Sequence, residues 1–253
     1  MGIGLFIIGD EILSGKRQDK HLSKVIELLR ERGMALSWAQ CLGDDEVQIS
    51  EAIVASRQRG DVVLSCGGIG ATPDDRTRQA AARAFAVPVV RHAEAEATIV
   101  DQYGDKAFPH RVLMADFPEG AGLIPNPVNR VAGFYVGDHN FVPGFPEMAW
   151  PMLEWVLDAR YPQLRNVDPP VEFSLRAVGT AAEGDLLDLM EQTLAAYPGI
   201  ALSSLPSRGD ATRQRHIEFG IKGPRVLAAT AFQSFRAGLA LRSDLTIEDL
   251  RLP

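Results

Sequence analysis

A glycine-rich loop between a predicted strand and a predicted helix is the feature that most constrains this chain. Three glycines lie within the four residues Gly67-Gly68-Ile69-Gly70, directly after the short apolar run 61–66. A short apolar run bounded by turn residues is typical of a buried strand. The alanine-rich stretch 76–85 that follows predicts a helix. Glycine lets the backbone approach a ligand, and free N–H groups at a helix start face it, so the pattern predicts a phosphate-binding loop.

Two carboxylates in the same loop, Asp74 and Asp75, refine this prediction. They would repel a bare phosphate but would attract a divalent cation that carries one, which favours a metal–phosphate or metal–pyrophosphate site. A structural interpretation stays open, because Thr72 suits a helix N-cap, Pro73 suits the first helical position, and Asp75 suits the acidic position of a capping box. Capping does not require three glycines at a strand end, so we favour a functional loop.

Composition argues against several classes of function. The chain has 253 residues, 46% of them hydrophobic, enough for one large domain or for a domain with a small appendage. Its net charge of −7 argues against general binding of nucleic acid. No apolar run approaches the roughly 20 residues that span a bilayer, so no membrane partner is expected. The N-terminus has neither a basic segment nor a cleavage-site pattern, which predicts a cytoplasmic protein.

The two cysteines, Cys41 and Cys66, lie in apolar, strand-like segments and are predicted to be buried, reduced thiols. The sequence contains no cysteine–histidine cluster with zinc spacing. Any metal is therefore expected to be a hard divalent cation bound through oxygen atoms.

Predicted strands and helices alternate along the first part of the chain, which indicates an α/β protein with a parallel sheet. Either Asp44 or Asp45 is expected to be the N-cap of the helix predicted at 46–59. Strands are predicted at 3–8, 34–41 and 61–66, helices at 20–32, 46–59, 73–85, 93–103, 109–114 and 146–159, and a hairpin at 133–142.

A proline-rich stretch from Tyr161 to Pro170 has little periodicity and marks the expected domain boundary. The predicted domains are residues 1–165 and a small α+β subdomain at 171–245. The second domain has the pattern of a βαββα unit, and the last residues of the chain are expected to be peripheral.

Several motifs occur in a single order along the chain: Gly9-Asp10-Glu11-Ile12-Leu13-Ser14-Gly15, Gln18-Asp19, the loop from Gly67 to Thr77, and Val142-Pro143-Gly144-Phe145-Pro146-Glu147-Met148. This combination resembles the molybdopterin-binding (Mog/MoaB-type) domain family over roughly residues 1–165. It is most similar to the N-terminal domain of competence/damage-inducible protein A and to the molybdopterin-binding-like domain of FAD synthases. The resemblance implies a three-layer α/β sandwich with a mostly parallel sheet and a ligand cleft at the strand ends.

The resemblance also implies a function. The family's pterin adenylyltransferases use two aspartates and a divalent metal, and by motif these positions match Asp45 and Asp75. The two branches that this chain resembles most are associated with hydrolysis of FAD or ADP-ribose at the pyrophosphate. We therefore expect a Mg²⁺-, Mn²⁺- or Co²⁺-dependent nucleotide pyrophosphatase that releases AMP. The alternatives are a non-catalytic molybdopterin- or nucleotide-binding protein and a pterin adenylyltransferase. A homo-oligomer is expected, because oligomers are common among such proteins.

The candidate site residues fall into three groups. Asp75 and Asp45 are the predicted catalytic residues, although each has a capping role as its alternative. Asp74, Asp75 and Asp45 are the predicted metal ligands. Pyrophosphate or nucleotide binding is assigned to Asp10, Glu11, Lys16, Gly67, Gly68, Gly70, Thr72, Gly144 and Pro146.

One segment departs from the family pattern. Competence-type proteins carry Gly-Thr-Ala-Pro-Gly after an asparagine, and here Pro127-Val128-Asn129-Arg130-Val131-Ala132-Gly133 takes its place. His110 and His139 lie in polar segments and are not expected to be catalytic.

Overall fold

The apolar N-terminal run forms the strand on which the first part of the structure is built, in a computed structural model that describes residues 2–209 and 214–251. This strand, β1 (Ile3–Ile8), is buried along its length and pairs in parallel with β2 (Trp38–Leu42) and β3 (Val62–Cys66). β3 pairs in parallel with β8 (His139–Val142), and the antiparallel strands β7 (Gly133–Val136) and β6 (Gly122–Ile124) complete the sheet. The strand order is β2-β1-β3-β8-β7-β6, a mixed and mostly parallel sheet.

Helices cover both faces of this sheet, because alternate residues of a strand point to opposite sides. Phe6 and Ile8 of β1 belong to one core, while Leu5 and Ile7 belong to another. The first core includes residues of α3 (Glu46–Arg59), α4 (Thr77–Phe85) and α5 (Ala93–Tyr103); the second includes residues of α2 (His21–Glu31) and α6 (Pro146–Trp155). The predicted three-layer α/β sandwich is confirmed.

Four local features differ from the sequence prediction. The helix after the glycine loop begins at Thr77 rather than at Pro73. A short helix, α1 (Asp10–Leu13), follows β1, and the short strands β4 (Val89–Arg91) and β5 (Asp116–Pro118) form a separate two-stranded sheet. The segment predicted as a helix at 109–114 is a 3-10 turn at Arg111–Ala115.

The two cysteines have different environments. Cys66 is buried, and burial raises the pKa of its thiol. Cys41, predicted to be buried, is exposed, because β2 is the edge strand of the sheet and most of its residues face solvent.

The structure separates into two compact units, residues 1–166 and 167–253. In the second unit, strands in the order β10-β11-β9-β12 form an antiparallel sheet, and the apolar residues of its core include those of two helices. The last dozen residues were expected to be peripheral, but Leu245–Arg251 form β12, which pairs with β9; residues 252–253 lie outside the described residues. The elements are β9 (Val171–Gly179), α7 (Leu187–Ala196), β10 (Ala201–Ser207), β11 (His216–Gly223), α8 (Arg225–Ala240) and β12 (Leu245–Arg251).

Within residues 2–209 and 214–251, no helix combines the length and apolar character needed to cross a membrane.

Candidate functional site

A cavity of about 400 Å³ opens in the first unit where β1, β3 and β8 end. Gly9, Gly67 and Pro143, the residues that directly follow these strands, all line it. Ligands of open parallel sheets bind outside the carboxyl ends of the strands, so the cavity occupies the expected position for a ligand. Of the predicted site residues, it is lined by Glu11, Gly67, Gly68, Gly70, Thr72, Asp74, Asp75 and Gly144. It is not lined by Asp10, Lys16, Asp45 or Pro146.

The glycines of the loop are required by its close packing. At Gly67, where φ is +112°, a Cβ atom would lie 2.1 Å from the carbonyl oxygen of Ile8. At Gly68, where φ is +69°, a Cβ atom would lie 2.2 Å from Oγ1 of Thr77. The buried Thr77 holds the loop in place, since its hydroxyl donates to the Gly67 carbonyl and its N–H to the Gly68 carbonyl, both at 3.0 Å. The loop is therefore fixed before any ligand binds.

Asp75 closes a turn inside this loop and does not cap the helix. The N–H of Thr72 donates to Asp75 Oδ2 at 2.9 Å, the Thr72 hydroxyl donates to the same oxygen, and the N–H of Asp75 donates to the Thr72 carbonyl at 3.0 Å. The Thr72–Asp75 bond expected of a capping box is thus present, but it closes a turn before α4, whose own N-cap is Arg76. Asp75 thus holds the loop closed and contributes its carboxylate to the cavity lining.

The adjacent residues Asp44 and Asp45 have separate roles. Asp45 is the N-cap of α3, where its Oδ1 accepts from the N–H of Gln48 at 2.8 Å. Asp44 lines the cavity, and its Oδ2 accepts from the N–H of Asp10 at 3.0 Å. In return, Asp10 Oδ1 accepts from the N–H of Asp44 at 3.2 Å. Burial raises the pKa of Asp44, and the nearby charges of Asp10, Glu11 and Asp74 raise it further.

The sequence analysis named Asp44 only as a candidate helix cap, because motif matching assigned the site to the next residue. The tandem Asp44-Asp45 is nevertheless a usable signal. When two acids precede a helix, one can act as the cap while the other is free for the site.

A buried arginine links two walls of the cavity and was also missed. Arg78 is 4% exposed, and its guanidinium donates to the carbonyl oxygens of Gly70 and Leu113. Desolvation lowers the pKa of Arg78, against the charges of Asp75 and Asp116. Arg78 therefore fixes the glycine loop to the turn that carries the cavity residue Met114. In sequence, an arginine within an alanine-rich helix does not show whether it faces solvent or the core.

The segment that departs from the family pattern forms part of the cavity wall. Asn126 is buried, and its amide group donates to Asn129 Oδ1 at 2.7 Å and to the Val131 carbonyl at 3.0 Å. Its Oδ1 accepts from the N–H of Val128 at 3.0 Å. Asn126, Asn129, Val131 and Ala132 all line the cavity, so the altered loop retains a place in the site.

The loop after β8 is held against the glycine loop. A Cβ atom on Gly144 would lie 3.4 Å from the Cα of Gly67, and the ring Nε2 of the buried His21 lies 3.1 Å from the Gly144 carbonyl oxygen. Pro146 begins α6 at its first position and shapes this loop without lining the cavity.

The cavity lining carries more negative than positive charge. Four carboxylates line it, those of Glu11, Asp44, Asp74 and Asp75, whereas Arg17 is its one lining cation in the described part of the chain. Among residues 2–209 and 214–251, no three histidine, cysteine or carboxylate side chains are grouped closely enough to hold a metal by themselves.

The comparisons with known proteins agree with this fold. A family model described as a "probable molybdopterin binding domain" matches residues 4–166, nearly the whole first unit. The chain belongs to the molybdopterin-binding domain family. This match confirms the resemblance drawn from the sequence motifs.

Similar proteins place the chain near the competence/damage-inducible (CinA-like) branch of the family. A CinA-like protein of Syntrophotalea carbinolica is 32% identical over 187 residues, which cover 71% of this chain and 45% of that protein. A protein of Pyrobaculum arsenaticum is 30% identical over 208 residues, covering 79% of this chain and 77% of that one. The crystal structure of a CinA protein of unknown function from Thermoplasma acidophilum aligns with a TM-score of 0.57 at 26% identity, covering 63% of this chain and 98% of that one. The chain thus spans about half the length of its CinA-like relative.

Proposed function

We propose that the cavity binds a pyrophosphate attached to a nucleotide or pterin, and that the protein hydrolyses such a compound with the help of a divalent metal. FAD and ADP-ribose are the proposed substrate types, with AMP as a product. The observation that carries this proposal is the lining of one cavity by both a fixed glycine loop and four carboxylates. A glycine loop suits phosphate oxygens, and carboxylates suit the hard cations that accompany pyrophosphates.

The donor set fits a metal that the substrate helps to hold. Mg²⁺ is usually bound through one or two carboxylates and substrate phosphates, and it keeps several waters. Asp74 and Asp75 are the residues we assign to such an ion, because they belong to the glycine loop itself. When bound, the ion would offset the negative charge of the phosphoryl groups.

The chain's own residues then have distinct tasks. The backbone of residues 67–72 positions the pyrophosphate, and Arg17 is available to pair with a phosphate oxygen. A water molecule attacks one of the two phosphorus atoms, and its new P–O bond forms as the bridging P–O bond breaks. The products are AMP and a second phosphate monoester, and one of them keeps the bridging oxygen while the other takes the oxygen of the water. We assign Asp44 to accept the proton of this water, because its carboxylate lines the cavity and is partly desolvated there. Asp45 is engaged at the helix cap and has no part in this proposal.

Product analysis tests the proposal. We expect purified protein with Mg²⁺, Mn²⁺ or Co²⁺ to release AMP from FAD or ADP-ribose, and EDTA to stop the release. Asp75→Asn should lower turnover by at least about 100-fold, since asparagine keeps an oxygen that can accept from Thr72 but loses the charge. Asp105→Asn, a matched change in an exposed turn outside the cavity, should leave turnover unaltered. Full activity in Asp75→Asn would contradict the assignment.

The family match supports a second candidate, a binding protein for a pterin without turnover. It predicts that adenylated molybdopterin, FAD or ADP-ribose raises the melting temperature while no AMP appears. The same samples therefore separate the two functions. The remaining alternative, transfer of an adenylyl group to a pterin, would consume ATP when molybdopterin is added.

A further inference from the structure

The cavity has an apolar part that pyrophosphate chemistry does not use. Met114, Val131, Phe145 and Met148 line it together with the glycine loop and the carboxylates. Pyrophosphate and a metal need oxygen and nitrogen partners, and an apolar wall offers neither. Apolar and aromatic lining is typical of a surface that receives the organic part of a ligand.

Phe145 is the side chain of this wall that is left most open. It is 50% exposed although it lines a concave site, and among the described residues no aromatic ring pairs with it. Leaving half of a phenyl ring in water forgoes part of the free energy that burial would supply. A ligand ring that covers it would recover that free energy.

The backbone of Phe145 is nevertheless rigidly held. Its carbonyl oxygen accepts from the N–H groups of Met148 at 3.0 Å and Ala149 at 2.8 Å, at the start of α6. The carbonyl oxygen of the preceding Gly144 lies within hydrogen-bond distance of the His21 ring, and Gly144 packs against Gly67. An aromatic ring on a fixed backbone can receive a flat ligand at little cost in conformational entropy.

Two methionines complete the apolar part. Met114 lies on the turn that Arg78 fixes to the glycine loop, and Met148 lies one helical turn after Phe145. Thioether side chains are flexible and make favourable contacts with aromatic rings, so they adapt to planar groups of different size.

We propose that Phe145 is the ring-binding residue of the cavity and stacks on a fused nitrogen heteroaromatic ring attached to the pyrophosphate. The inference rests on the proposed function only for the position of the pyrophosphate on the glycine loop. Flavin, adenine and pterin share this ring chemistry, and Phe145 with its methionine neighbours accepts any of the three by stacking. Discrimination among them then comes from ring size rather than from hydrogen bonds to Phe145.

The test compares ligands with and without a ring. FAD carries a flavin and an adenine ring, ADP-ribose carries adenine alone, hydroxymethylpterin diphosphate carries a pterin, and inorganic pyrophosphate carries no ring. An effect on FAD that ADP-ribose does not show is therefore assigned to the flavin. Dissociation constants are measured by calorimetry with Mg²⁺, and AMP is followed in the same samples. We expect Phe145→Ala to raise the Kd of a ring-bearing ligand about tenfold and to leave that of inorganic pyrophosphate unchanged. The ligand with the largest effect identifies the source of the ring.

Further variants separate stacking from size and from stability. Phe145→Trp should restore tight binding, and Phe145→Leu, apolar and of similar volume, should not. Trp155→Ala removes a partly exposed aromatic side chain from the same helix outside the cavity, and should leave every Kd unchanged.

Each outcome decides the inference independently of the proposed hydrolysis. An equal loss of affinity for inorganic pyrophosphate in Phe145→Ala would overturn it, as would an unchanged Kd for all ring-bearing ligands or the absence of ring-dependent binding in the unaltered protein. Ring-dependent binding without AMP release would leave the inference standing and contradict the hydrolase. AMP release together with an unchanged Kd in Phe145→Ala would support the hydrolase and contradict the inference.

Discussion

Asp44 and Asp45 show how two adjacent, identical residues acquire different roles from their surroundings. Asp45 is the N-cap of α3, whereas Asp44 lines the cavity and is desolvated there. Asparagine and aspartate are about equally good N-caps, so Asp45→Asn should keep the fold and the turnover. Asp44→Asn keeps an oxygen for the Asp10 N–H but removes the base, and turnover should fall about 100-fold or more. Rates of AMP release from FAD or ADP-ribose decide the matter. A larger loss in Asp45→Asn than in Asp44→Asn would return the role to Asp45, as the family motif suggests.

The site residues that could be predicted are those whose role depends on backbone conformation rather than on the direction of a side chain. Glycines at a strand end have few alternative explanations, and Gly67 and Gly68 lie where the sequence analysis placed them. Arg17 and Arg78 could not be predicted, because their roles depend on which way a side chain points from a turn or a helix. Lys16 illustrates the converse, since it is a cation beside the glycine motif that stays exposed and outside the cavity lining.

At the scale of elements, His139 joins β8 to α3 and should make the fold sensitive to acid. It is 2% exposed, and its Nε2 lies 2.7 Å from the hydroxyl of Ser56, which itself donates to a carbonyl of α3. A serine hydroxyl has one hydrogen, so while it donates to that carbonyl, the contact with His139 requires an N–H at Nε2. Burial, reinforced by the charge of Arg57, lowers the pKa of His139 from 6.5 to about 4.

The sign of the effect follows from proton uptake. Between pH 6.5 and 4 the unfolded chain binds a proton at His139 that the folded chain does not, so stability falls as the pH falls through this window. The loss amounts to at most about 3 kcal/mol. Urea unfolding at pH 7 and pH 4.5 measures it. His139→Gln, which keeps a side-chain donor but does not titrate, should show a smaller difference between the two pH values. The exposed His110→Gln is the control, and an equal pH dependence in both variants would exclude His139 as the cause.

Long elements were predicted well and short ones were not, for a physical reason. β1, α2, α3 and α5 have enough residues for hydrophobic periodicity to show, and each lies close to its expected range. β4 and β5 have three residues each and depend on pairing with one another, which no local pattern reveals. Apolar and polar residues alternate only weakly along β12, and only its pairing with β9 defines it as a strand.

At the scale of the whole molecule, each unit has its own hydrophobic core. Two cores lie within residues 3–164, and the third lies within residues 171–247. The proposed site is formed wholly by residues 8–148 of the first unit. The family match at 4–166 covers this unit and does not extend to the second. A domain with its own core and its own site can in principle fold and bind without its neighbour.

A chain that ends at residue 166 should therefore fold and keep the site. We expect residues 1–166 to unfold in a single cooperative transition and to bind inorganic pyrophosphate with Mg²⁺ at the Kd of the full chain, because every side chain that lines the cavity is retained. Circular dichroism melting and calorimetry check the two parts separately. A folded fragment with a markedly weaker Kd would assign a binding role to residues 167–253. An unfolded fragment would show that the second unit stabilises the first. The full chain with Phe235→Ala, which weakens the third core, would then be expected to lose pyrophosphate binding and its fold at the same temperature.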